Sequence, residues 1–190
     1  VNPYAAVLHP SEEATTLLSR AEEGIEREDW KLVVDSLQRI VELPGEHVLT
    51  TDGQMYESAR RHAHRRIATL PPAGLAAYRL MFDSEAATLL KHAVERHDTS
   101  LLRTVIDKYL ITRSGDDAAL VLAEWLIDEG RYAEAAATLQ LMRPLYPDSD
   151  LPSWVIPTRL AVCYAAMGRP QRAEAALQPL TTRPADAAYS

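Results

Sequence analysis

The residues best equipped for chemistry sit in one heptapeptide, Arg60-Arg61-His62-Ala63-His64-Arg65-Arg66, inside a chain of formal net charge -7. Two histidines two residues apart chelate one ion from a strand. On a helix they point about 200° apart and do not. His92-x-x-Glu95 has the spacing of one helix face, yet a single pair falls short of a metal site. Asp148-Ser149-Asp150 opens like a calcium loop, but Pro152 takes the fifth position and the sixth-position glycine is missing. The seven glycines lie too far apart for a phosphate-cradling loop, and neither a nucleophile elbow nor an H-E-x-x-H pair occurs. The paired carboxylates Asp116-Asp117 follow Gly115 and precede an apolar run, which reads as helix capping. Cys163 is the single cysteine, so no internal disulfide forms, and its apolar surroundings predict a buried thiol. These residues assign no catalytic, cofactor or metal site, and the reading is of a non-enzyme.

The elements that carry these residues read as helical. Of the 190 residues 47% are hydrophobic and 25% charged, and alanine and leucine outweigh the 6% aromatics, which favours helices over sheets. The acidic balance argues against a general nucleic-acid binder, and no apolar run is long enough to enter a membrane. No signal peptide is visible before the first helix.

A repeat organises the chain. Leu122-Ala123-x-x-Leu126-x-x-x-Gly130-x-x-x-x-Ala135-x-x-x-Leu139 recurs 38 residues later as Leu160-Ala161-x-x-Tyr164-x-x-x-Gly168-x-x-x-x-Ala173-x-x-x-Leu177. Each glycine stands where a chain leaving a helix needs positive φ, and each alanine where two helices cross closely. Two weaker units precede: Asp29-Trp30-x-x-Val33-x-x-x-Leu37, after a helix from Ser11 to Glu26, and Asp98-Thr99-x-x-Leu102-x-x-x-Ile106, after a helix from Ser84 to Arg96. The gap between them has room for one degenerate unit, and it contains the arginine heptapeptide.

There, Thr51-Asp52-Gly53-Gln54 has two readings: the turn of a β-hairpin between HVLT and QMY, or a capping box opening a helix at Asp52. The stripe Tyr56, Ala59, Ala63, Ile67, Leu70 favours the helix, which Pro71-Pro72 ends. Arg61 and Arg65 then point into solvent, flanked by Arg60, His64 and Glu57. They are a solvated face, a counterpart to the acidic segment from Ser11 to Trp30, or a docking patch for a partner. Trp30 and Tyr132, at equivalent turns, read as core. Trp154 is either a plug between units or a partner contact.

The repeat resembles the tetratricopeptide repeat: Leu122, Ala123, Leu126, Ala135, Leu139 and Pro147 fall on its positions in one unit, and Leu160, Ala161, Tyr164, Ala173 and Leu177 in the next. Alanine replaces the family's small glycine, leucine its phenylalanine, and a turn-rich linker around residues 147–152 adds four residues. With the run Leu70-Pro71-Pro72-Ala73-Gly74-Leu75-Ala76-Ala77-Tyr78-Arg79, the order of elements also resembles the helical region that precedes a PQQ-like β-propeller in planctomycete-type exported proteins. That resemblance implies export or a periplasmic location, where a cytoplasmic one would otherwise be expected.

The expected fold is all-α. About ten helices form about five antiparallel hairpins in a right-handed solenoid over residues 11–180, with tails at 1–10 and 181–190. The first helix of each unit lines the groove, which places Leu120, Glu124, Ile127, Asp128, Thr158 and Val162 there. The expected function is a non-catalytic scaffold for a protein or peptide; the alternative is a spacer or homodimerisation module for an attached propeller.

Overall fold

The computed structural model describes residues 10–50, 55–142 and 151–181. Helices make up 78% of these residues. In chain order they are α1 (Glu12–Glu26), α2 (Trp30–Glu42), α3 (Ala59–Ala68), α4 (Pro72–Arg96), α5 (Thr99–Tyr109), α6 (Arg113–Asp128), α7 (Tyr132–Met142), α8 (Val155–Ala166) and α9 (Pro170–Thr181). Two short strands, β1 (Val48–Thr50) and β2 (Tyr56–Ser58), stand between α2 and α3. The chain divides into two compact units, residues 1–88 with 107–113, and residues 89–106 with 114–190.

One turn recurs four times among the described residues. After α1, Glu28 N–H donates to the Ile25 carbonyl and Asp29 N–H to the Gly24 carbonyl. His97 and Asp98 do the same after α4, Gly130 and Arg131 after α6, and Gly168 and Arg169 after α8. Glu28, His97, Gly130 and Gly168 are all left-handed, with φ of 54°, 52°, 75° and 68°. This is the Schellman closure, which satisfies the last carbonyls of a helix and turns the chain back at once. The positive φ expected of the two glycines is thus present, and it extends to two residues that carry a Cβ. Asp29 and Asp98 then cap the following helices: Asp29 Oδ1 accepts from Leu32 N–H at 3.1 Å, and Asp98 Oδ1 from Ser100 N–H at 2.8 Å.

In the first unit α1 packs on α2, and α2 on α3. The two helices of the first pair meet at Gly24, where an added Cβ would lie 2.8 Å from Val33 Cγ2. Trp30, half-buried, lies across Gly74 of α4 in the same way, its Cε3 2.8 Å from where a Cβ would stand. The core is Leu17, Val33, Val34, Leu37, Ile40, Ile67 and Tyr78. Tyr78, Phe82 and Tyr109 form a tilted aromatic series with centroids 5.2 and 5.7 Å apart. Asp83 of α4 accepts from Arg113 N–H at 3.1 Å and so occupies a free amide at the start of α6. Helix α6 begins before Asp116, so Asp116 lies inside its first turn rather than ahead of it.

The expected helix from Asp52 is corrected by β1 and β2. They pair antiparallel, Val48 with Ser58, Leu49 with Glu57 and Thr50 with Tyr56. The hairpin reading holds for these flanks; the turn at residues 51–54 lies outside the described residues. Ser58, not Thr51, is the cap of α3, its Oγ 3.5 Å from Arg61 N–H. The His47 carbonyl takes the Ala59 amide at 2.8 Å, and the Val48 carbonyl takes the Ser11 amide at 2.9 Å. The hairpin therefore satisfies donors at the starts of α1 and α3, which a longer α3 would leave elsewhere. Tyr56, expected on the buried stripe, is exposed on β2, whereas Ala59, Ala63, Ile67 and Leu70 are buried as the period requires.

In the second unit α7 packs on α8 and α8 on α9. Leu122, Ala123, Leu126, Ala135, Leu139, Leu160, Ala161 and Tyr164 are all buried; Ala173 and Leu177 are half-buried near the end of the described chain. Cys163 is buried, as its apolar surroundings predict, and burial raises its thiol pKa. His97 stacks on Trp125 with centroids 3.8 Å apart. Pro147, the linker at 147–150 and the Asp148-Ser149-Asp150 triplet lie outside the described residues.

Candidate binding face on α6 and α8

Helices α6 and α8 each turn one face into the core of the second unit and leave the other open. On α6 the buried face is Ala118, Ala119, Leu122, Ala123 and Leu126. Around the helix from it, Leu120, Glu124 and Ile127 are half-buried and Asp128 is exposed. On α8 the buried face is Val155, Leu160, Ala161, Cys163 and Tyr164. Its other face carries Trp154, Thr158 and Val162, spaced four apart and so aligned along the helix. Trp154 is 53% exposed and Val162 52% exposed, two large apolar side chains on one helix face. Thr158 turns its hydroxyl back to the Trp154 carbonyl at 2.7 Å.

A charge pair joins the two helices. Arg159 donates from Nε at 3.0 Å and from Nη2 at 2.6 Å to Oε1 of Glu124. Both side chains are partly exposed, so the pair contributes about 0–1 kcal/mol to stability. Its consequence is positional: it fixes the stems of two long side chains beside the apolar strip. Sequence reasoning placed Glu124 in the groove and missed Arg159. The signal was present in the repeat, where Glu124 aligns with Val162 and Arg159 with Val121, an exchange of charge and apolar character between consecutive units.

The heptapeptide on α3 does something different from chelation. Its charges are divided among several structural duties. Arg60 Nε donates to the Val41 carbonyl at 3.0 Å and caps the end of α2. Arg65 pairs with Glu57, and Glu57 also accepts from Nδ1 of His62. Burial first, then the neighbouring Arg66, lowers the His62 pKa, consistent with a neutral ring donating its Nδ1 proton. Arg66 reaches Glu22 of α1 through Nε at 3.0 Å and Nη2 at 2.6 Å. The expected attraction between the acidic first hairpin and the arginines is therefore made by Arg66. Arg61 is exposed and its side chain has no partner among the described residues.

His64 corrects its expected place on the polar flank: it is 5% exposed and turned inward. Burial first, and Arg60 second, push its pKa down to about 4, and its Nε2 has no partner among the described residues. The two histidines diverge as a helix requires, one inward and one to Glu57. Among the described residues no group of three or more His, Cys, Asp or Glu side chains is placed to hold a metal ion. None of their helices is long and apolar enough to cross a membrane.

Comparisons with protein families, with curated proteins and with solved structures find no match to the chain.

Proposed function

We propose that the protein is a non-catalytic scaffold that binds a peptide or protein segment along α6 and α8. The observation that carries this reading is the exposure of Trp154 and Val162 on one face of α8, a helix that the Arg159–Glu124 pair ties to the face of α6 carrying the half-buried Leu120 and Ile127. Exposed aromatic and aliphatic side chains aligned on one face, with a fixed charge pair alongside, fit the apolar centre and polar rim of a recognition surface. Asp128 would lie on that rim. The four recurring turns support stacked helical hairpins, and with the tetratricopeptide resemblance they favour a right-handed solenoid whose first helices line the groove. Selection of peptides from a displayed random library tests the reading. Peptides with apolar anchors should be enriched on the wild-type protein and lost on a Trp154→Ala, Val162→Glu variant of unchanged helicity. Enrichment that is identical on both proteins, or none at all, overturns it.

A second reading, a spacer or homodimerisation module for an attached propeller, is favoured by Leu80. It stands 87% exposed within α4. Sedimentation equilibrium separates the two: a dimer abolished by Leu80→Glu supports self-association, and a monomer throughout removes it.

A further inference from the structure

A concave site lies in the first unit. A cleft of about 430 Å³ opens between α1, α2 and α4. That volume falls within the range of small-ligand sites. Arg20 comes from α1; Asp35, Arg39 and Glu42 from α2; Met81 and Phe82 from α4. Two features of this lining lack an internal explanation.

The first is the state of its charges. Asp35 and Arg39 stand four apart on α2, the spacing at which such side chains pair, yet they make no ion pair. Arg20 likewise has no side-chain partner among the described residues. The second is Met81, 42% exposed although apolar and next to the packed ring of Phe82. Gln38, only 4% exposed, belongs to the same lining. Its Nε2 is committed to Glu42 Oε1 at 3.0 Å and to the Lys108 carbonyl at 3.2 Å. That holds the amide in one orientation, and its Oε1 is left without a partner among the described residues.

The geometry points to a binding site for a small zwitterion of the amino-acid or dipeptide class. Two guanidinium groups take the carboxylate, for which their forked donors are suited. Asp35 and Glu42 take the ammonium group. Leu32, Met81 and Phe82 receive an apolar side chain. Two positive and two negative groups in one cleft select against a ligand of large net charge and for one carrying both signs. The site is independent of the α6 and α8 face, so either proposal stands without the other.

Alanyl-leucine is the probe. Backbone amide shifts of the full chain are followed by NMR on addition of the free dipeptide, its N-acetyl form and its C-terminal amide. The free form should shift resonances of α1, α2 and the first half of α4 with a Kd of about 1 mM, the level a ligand of that size reaches. Each blocked form should bind about tenfold more weakly, as should the free form with an Arg20→Gln, Arg39→Gln variant. Both arginines are exposed, so that variant keeps its fold, which the same spectra report. No shifts at about 10 mM, shifts confined to other helices, or equal binding of free and blocked forms overturns the proposal.

Discussion

Lowering the pH should destabilise the first unit through His64. The ring is 5% exposed on α3, and its pKa falls from 6.5 to about 4, first by burial and then by Arg60. Between those values the unfolded chain binds a proton that the folded chain refuses. Stability therefore rises with pH through this window, is complete above 6.5 and is lost as pH falls toward 4. The full loss is about 3 kcal/mol, from 1.36 kcal/mol for each unit of displacement, and most of it is reached by about pH 4.5. Carboxylates titrate in the same region, so the difference between wild type and His64→Leu isolates the ring. Urea unfolding at about pH 7 and pH 4.5 should show the wild type losing about 2–3 kcal/mol more than the variant. The ring resonances of His64 should stay those of a neutral imidazole down to about pH 4.5. An equal loss in both proteins, with a ring that titrates near the ordinary histidine value, refutes the inward placement.

The recurring turns and crossings give further tests. Glu28→Gly should stabilise by about 0.5–1 kcal/mol, because a left-handed residue with a Cβ is relieved, as read by the urea midpoint. His97→Gly should gain less or lose, since the stack on Trp125 goes with the ring, and the same melts compare the two. Ala135→Leu should cost about 1–3 kcal/mol and Ala173→Leu less, because the first site is fully buried and the second half-buried; equal midpoint shifts would contradict the packing. An Arg61→Glu, Arg65→Glu variant should lose at most about 1 kcal/mol at low salt, because only Arg65 has a partner to lose, and the loss should shrink as salt is added.

The strong repeat was legible because each of its positions answers one physical need. Gly130 and Gly168 mark left-handed turns, and Ala135 and the leucines around it mark crossings. The same turn at Glu28 and His97 is silent as glycine, since those residues adopt positive φ with a Cβ in place. Their following aspartates, Asp29 and Asp98, were the readable trace. The hairpin at β1 and β2 was hidden for a different reason. Its strands are three residues long, too short for alternation to declare itself, and the helical stripe from Ala59 onward extends by chance through Tyr56. His64 fell to the same limit: a polar residue between Ala63 and Ile67 takes the inward side when the neighbouring helices leave room for it. On the candidate face, Leu120, Glu124, Ile127, Thr158 and Val162 were named from helix order, and each is half-buried or exposed. Arg159 became meaningful only when α6 and α8 were placed side by side.

The central claim is that the chain holds a peptide on α6 and α8, and hydrogen exchange tests it at the place named. A peptide taken from the displayed library is added at a saturating level, and amide exchange is compared with and without it. Slowed exchange within residues 120–128 and 154–162, absent in the Trp154→Ala, Val162→Glu variant, is the predicted result. Protection that falls instead on α3 or around Arg20 and Arg39, or a pattern unchanged by a bound peptide, contradicts the account.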